Sequence, residues 1–412
     1  MQDLLRPQPI GIFPLPVGYL VLPDVPGAEA VRDDLLRGRL PTEWPEGLFF
    51  YDAALIGDSV AAFAALAGRS GSVAAYNRFV LQSDPSAYQE LAATLEGDLL
   101  ALLHVVAFTL GYISELPSGD GLTGEVRGLW LIAQAAQHLE AGAPGDALPL
   151  LEQAAEAAAP VSPLLAGQAY GTIAHTLRES EGVGPRIIPL YKRAIDALEG
   201  SGLDETRAEL WLTLGMTYHE LAQGGRGALL EAVKCYQQAV RVFRRESHPE
   251  LFALAHNNLA LAYLAMPMTE AGDALRMGVA VGSLREALKV YTRETHPERW
   301  AGAQLNLANA LQYLPSAHPL DNLEEAIRLY DEILAVRGGD DPLGRARVLA
   351  SQGNALAHLG DFARAVPILE EARAAFTAHA ESDSAAAVQG VLDDIEAQIA
   401  EPSSSSNAVE GV

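Results

Sequence analysis

A degenerate repeat, small residues at fixed offsets from aromatic or leucine anchors, runs from about Leu129 to about His379 and constrains the fold more than any other feature. Its clearest copies read Leu214-Gly215 with Tyr218, Leu259-Ala260 with Tyr263, Leu307-Ala308 with Leu311 and Gln352-Gly353 with Leu356. Each is followed by a second segment: Ala232, Tyr236 and Ala239; Ala287, Val290 and Tyr291; Ala326, Tyr330 and Ile333; Ala365, Leu369 and Ala372. Fainter copies place Gly171 before Ile187, Tyr191 and Ala194, and Ala133 before Ala147, Leu151 and Ala154. These spacings put the marked residues of each segment on one helix face, so each segment reads as an amphipathic helix. Small residues let two helices cross closely and large ones fill the adjacent gap. One pair cannot bury both of its apolar faces; a stack of about six pairs does.

These residues resemble the tetratricopeptide repeat family, whose pattern runs Trp, Leu, Gly, Tyr on the first helix and Ala, Phe or Tyr, Ala on the second. Trp211, Leu214, Gly215 and Tyr218, then Ala232, Tyr236 and Ala239, follow it nearly in full. Gly353, Leu356, Ala365, Leu369 and Ala372 keep the family's step from Gly to Ala. The copies are long: from Gly171 through Gly215, Ala260 and Ala308 to Gly353 they step by 44, 45, 48 and 45 residues, against about 34 in the family. The resemblance is good over 205–379, weak before 160 and absent over 1–120. It implies an all-α fold, a right-handed superhelical α-solenoid of stacked helical hairpins over 125–400. It identifies a fold better than a function.

Outside the repeats, residues 1–120 read as a mostly helical cap domain with a Pro-rich start. Ile10-Gly-Ile-Phe and Gly18-Tyr-Leu-Val-Leu read as short strands or as extended segments packed on helices. Helices are predicted over 52–67 and 86–116, the second capped by Asp84-Pro85, and again from Thr123 to Gly142. A last helix near Ser384 to Ala400 caps the array, and the polar run over 401–412 reads as a disordered tail. Arg245-Glu-Ser-His-Pro-Glu250 and Arg293-Glu-Thr-His-Pro-Glu298 recur one repeat apart. Pro keeps the preceding His out of helix, which makes both histidines helix boundaries, and no Cys/His spacing supports a metal site.

In the family the first helices line a concave groove, where amide side chains clamp the backbone of an extended peptide. The resemblance therefore makes Asn257, Asn309 and Asn354 the candidate partner-binding amides, with Gln312 and His358 nearby. Asn258 and Asn306 share a position that more often bridges neighbouring helices, so with Trp211, Gly215, Tyr218 and Gly353 they are expected to be structural. The family's carboxylate clamp needs a cation where this chain has Leu212, Asn257, Leu305 and Ala350, so a clamp of that kind is not expected. Between Tyr263 and Ala287 the link is about ten residues longer than its neighbours. Its Met266, Met268, Met277 and Arg276 read either as gap fillers or as a partner-binding lip on the rim.

Composition narrows the function. The 412 residues carry a formal net charge of -25, which opposes binding to nucleic acid or an anionic membrane. Residues 224–300, with 10 basic and 8 acidic side chains, are the least acidic stretch. No phosphate loop, zinc-protease motif or nucleophile elbow occurs. The single cysteine, Cys235, suits a reducing compartment, and prolines interrupt the first apolar stretch, so no signal peptide is expected. The reading is a cytoplasmic, non-enzymatic adaptor or assembly factor, without cofactor or metal, that binds a protein or peptide in its groove. The alternatives are a self-inhibited regulator whose N-terminal region occludes the groove, and an enzyme with its chemistry in the first domain.

Overall fold

The computed structural model describes residues 4–267, 272–336 and 341–400. The expectations for Met268 and for the 401–412 tail fall outside them. Every regular element among the described residues is a helix, and no helix there is long and apolar enough to cross a membrane. The chain divides into two compact units, Met1–Leu221 and Ala222–Val412.

The first unit opens with α1 (Ala28–Leu35), α2 (Phe49–Leu55), α3 (Ser59–Ala65), α4 (Ser72–Gln82), α5 (Pro85–Ala92) and α6 (Gly97–Thr109). It continues with α7 (Gly124–Glu140), α8 (Pro144–Ala158), α9 (Pro163–Glu181), α10 (Ile187–Ala197) and α11 (Asp204–Leu221). The predicted 52–67 helix is broken into α2 and α3, because Asp58 starts a new helix by accepting the Ala61 N–H at 2.9 Å. Asp84 caps α5 as the sequence predicts, accepting the Ser86 N–H at 2.9 Å with Pro85 behind it.

The Gly18–Leu22 segment forms no strand. Leu20, Val21 and Leu22 are fully buried, so their backbone groups need partners that are not water. Two buried amides supply them. Asn77 accepts the Val21 N–H at 2.9 Å and donates to the Val21 carbonyl at 2.7 Å. Gln8 does the same for Leu22, at 3.0 and 3.2 Å. Side-chain amides thus stand where a sheet neighbour would be.

The domain boundary expected between 120 and 125 is not where the chain divides. Arg6 reaches Glu125 at 2.9 Å, the Thr123 carbonyl at 2.7 Å and Asp98 at 2.7 Å, tying the leading segment to the start of α7. Ile12 packs with Leu164 and Leu198. The N-terminal helices and the first repeats therefore share one unit.

The second unit holds α12 (Arg226–Val242), α13 (Pro249–Leu264), α14 (Asp273–Ala287), α15 (Pro297–Tyr313), α16 (Pro319–Leu334), α17 (Pro342–Leu359), α18 (Phe362–Ala378) and α19 (Ser382–Ala400). Successive helices pack as hairpins, α13 on α14, α15 on α16 and α17 on α18, with α19 against α17 and α18; in the first unit α7 pairs with α8 and α9 with α10. Within the units this is the helix-pair stacking of an α-solenoid. Pro opens α8, α9, α13, α15, α16 and α17, where its missing N–H costs nothing.

The long link before Ala287 needs correction. α14 begins at Asp273, and its buried Ala280, Leu284 and Ala287 are the counterparts of Ala232, Tyr236 and Ala239 on α12. Tyr291 lies past the helix end and meets His296 at 5.4 Å between ring centres, as Phe243 meets His248 at 5.7 Å. The repeat register on α14 therefore falls two turns earlier than the sequence reading placed it, and much of the supposed insertion is helix.

Where α17 crosses α18, a Cβ on Gly353 would lie 2.5 Å from Leu369 Cγ and 2.6 Å from its Cδ2. Gly353→Ala is expected to destabilise the protein by about 1–3 kcal/mol through overpacking. Gly302→Ala meets nothing within 4 Å and is expected to be neutral or to gain up to about 1 kcal/mol in helix propensity. Denaturant unfolding of both variants checks the pair.

Candidate functional site

The second unit carries a pocket of about 410 Å³ between α15, α17 and α19. Asn309, Gln312 and Tyr313 lie within about one turn of α15, and Ser351, Asn354 and His358 follow one face of α17, so helical periodicity alone turns each trio to one side. Ala350 and Leu369, with Val388 and Val391 of α19, give the pocket its apolar part, while Asn309, Gln312, Tyr313, Ser351 and Asn354 supply its polar groups.

The amides are held rather than loose. Tyr330 of α16 donates its hydroxyl to Asn309 Oδ1 at 2.7 Å and lies 3.4 Å from Gln312 Oε1. Burial, then the neighbouring Tyr313, push the Tyr330 pKa up, which keeps that hydroxyl a donor. Asn354 gives an N–H to the Tyr313 hydroxyl at 3.1 Å, and Gln312 Nε2 meets His358 Nδ1 at 3.4 Å. Asn309 thus has its oxygen engaged, while its amino group makes no hydrogen bond among the described residues. Asn354 has an N–H engaged and its oxygen left to accept. One repeat apart, the two amides offer opposite halves of what a peptide backbone needs.

A second arrangement shows a first-helix face meeting a non-helical stretch of the chain. Gln168 sits on α9 three residues before Gly171, the register position that Ala350 holds before Gly353. Its Nε2 donates to the Ile12 carbonyl at 3.1 Å. Gly11 lies so close to Leu129 of α7 and Leu165 of α9 that a Cβ would come within 3.0 and 2.8 Å of them. In the first unit, then, first-helix residues grip a non-helical segment of the chain itself.

The other predicted residues lie elsewhere. Asn257, Asn258 and Asn306 are half-buried on α13 and α15 and do not line the pocket. Gly215 is buried and Trp211 and Tyr218 are half-buried on α11, with the Lys192 ammonium 5.9 Å from the Tyr218 ring centre. Where the sequence reading allows a partner-binding lip, the structure has an internal brace. Met266 is only 3% exposed. Arg276 pairs with Asp273 at 3.0 Å and bonds the Pro267 carbonyl at 3.1 Å, which ties the first turn of α14 to the chain just past α13. His256, beside these amides, packs 4.4 Å from Phe252 between ring centres, and burial lowers its pKa. His248 and His296 precede α13 and α15 as helix boundaries, and His296 also pairs with Glu250 at 2.5 Å.

Tyr313 and Ser351 belong to the site and were not singled out by sequence, and Tyr330, read there only as a repeat anchor, also reaches it. Tyr313 follows Asn309 by one helical turn, a signal that periodicity carries. Val388 and Val391 come from a helix outside the repeat register, for which the sequence holds no comparable signal.

No protein-family model and no curated protein sequence matches the chain. Solved structures do. The apo form of RapI is 12% identical, covering 85% of this chain and 96% of that one, with a TM-score of 0.44. BtubC (BKLC) from P. vanneervenii is 19% identical, covering 60% and 91%, with a TM-score of 0.40. A signal transduction ATPase with a tetratricopeptide repeat sensor from Pyrococcus horikoshii is 11% identical, covering 81% and 54%, with a TM-score of 0.44. Likeness this distant says nothing about a ligand. The fold assignment rests on the helices themselves.

Proposed function

We propose that the protein is an interaction scaffold of the tetratricopeptide kind, and that the α15–α17–α19 pocket receives an extended segment of a partner protein. The observation that carries this reading is the bond from Gln168 to the Ile12 carbonyl, a first-helix amide holding the backbone of a non-helical turn within the same molecule. Asn309 and Asn354 present matching groups, and the apolar part of the pocket suits a side chain of the bound segment. The role needs no catalysis, cofactor or metal. A cytoplasmic setting agrees with the lone buried Cys235.

The same bond also favours a self-occupied state: the start of the chain lies on α7 and α9, as a built-in ligand would. That supports the self-inhibited reading for the first unit and leaves the pocket of the second for an outside partner.

Selection of random displayed peptides on the full-length protein tests the proposal, with Ala350→Trp, which fills the pocket, as the blocked control. Peptides enriched on the wild type and not on Ala350→Trp are the expected outcome. No enrichment, or equal enrichment on both, overturns it.

A further inference from the structure

The first unit also contains a cleft of about 640 Å³ that the scaffold reading does not use, within the range of small-molecule sites, roughly 300–1,000 Å³. Its walls are the turn after α1, the turn after α10 and the opening of α9. The two turns are stitched together at their backbones. The Gly202 N–H donates to the Arg37 carbonyl at 3.0 Å, and Arg39 Nη2 donates to the Gly200 carbonyl at 2.6 Å. Only glycines permit this approach: a Cβ on Gly202 would lie 2.3 Å from the Gly38 oxygen, and Gly38 has φ +67°. The stitching fixes where Arg37 and Arg39 enter the cleft.

The charges there are unequally matched. Asp33 and Glu199 also line the cleft, but each is engaged by an arginine from outside the lining, Asp33 by Arg32 at 3.1 Å and Glu199 by Arg207 at 3.5 Å. Arg37 makes no side-chain bond among the described residues, and Arg39 uses one Nη on a carbonyl. In a chain of net charge -25, two arginine forks therefore share a preformed cleft without a carboxylate partner. An arginine fork matches a carboxylate or phosphate in shape and charge. We propose that this cleft binds a small organic anion bearing a phosphate or carboxylate group, with Arg37 and Arg39 as its two contacts.

Calorimetric titration of the full-length protein in a chloride buffer tests this, with inorganic pyrophosphate in one arm and tricarballylate in the other. At least one probe is expected to bind with a dissociation constant below about 1 mM, and the arm that binds identifies phosphate or carboxylate. Arg37→Gln removes no bond within the fold and is expected to weaken binding at least about tenfold, the loss of one charge-assisted contact. Arg293→Gln, an exposed charge in the other unit, is expected to leave it unchanged. Binding of neither probe, wild-type binding by Arg37→Gln, or equal weakening in both variants overturns the proposal.

Discussion

Arg6→Ala is expected to destabilise the protein by about 3 kcal/mol, the low end of the cost of breaking a buried ion pair. Glu125 is only 1% exposed, and Arg6 supplies its charge partner. Burial by itself would lower the Arg6 pKa; the hydrogen bond and charge of Glu125, and the charge of Asp98, outweigh it and raise it. Without the guanidinium, Glu125 keeps the Gln8 backbone N–H at 3.3 Å and no compensating charge, while the Thr123 carbonyl loses the donor it had at 2.7 Å. The exposed share of Arg6, 28% of its side chain, places the effect at the low end. Arg6→Met combined with Glu125→Leu is expected to recover part of the loss, because no buried charge then remains. Denaturant titration of the three proteins checks this, and equal stability of Arg6→Ala and wild type would contradict it.

Asn77→Leu is expected to cost about 2–6 kcal/mol, because it strands both the N–H and the C=O of Val21, each at about 1–3 kcal/mol when buried without a mate. Asn77 is fully buried on α4, and leucine branches at the same carbon and is the larger residue, so a cavity is not the cause. Gln8→Leu acts on the adjacent residue of the same segment. The double variant is therefore expected to lose less than the sum of the singles, since the segment need be released only once. Strict additivity would show that the two amides act independently.

Much of this fold is legible in the sequence, unevenly. α15 to α18 are, because their small and large residues keep the helical period and Pro marks three of the helix starts. α14 is hidden by Gly272, Gly278 and Gly282, which read as loop although Met277, Ala280, Val281 and Leu284 keep the spacing of a buried face. α4 is hidden in the same way by the Gly68–Ser72 cluster, while Val73, Tyr76 and Val80 mark its core side. The amides that hold Val21 and Leu22 are not legible, since nothing local connects Asn77 to a segment 56 residues earlier. The site divides likewise. Asn309, Gln312 and Asn354 follow from the repeat register, and the register of Gln168 was available too, but its contact with Ile12 depends on how the leading segment folds back.

The central claim is that Asn309 and Asn354 present their free amide groups to a bound peptide backbone. Its most direct test is a binding isotherm for a peptide selected on the full-length protein, measured against wild type and Asn309→Ala/Asn354→Ala, with a calorimetric melt of each. The account predicts binding weaker by about 1–3 kcal/mol, roughly 5- to 150-fold, because peptide polar groups lose their mates, with the melting transition nearly unchanged. A lowered melting transition with unchanged affinity per folded molecule would contradict it and make the two amides ties between helices.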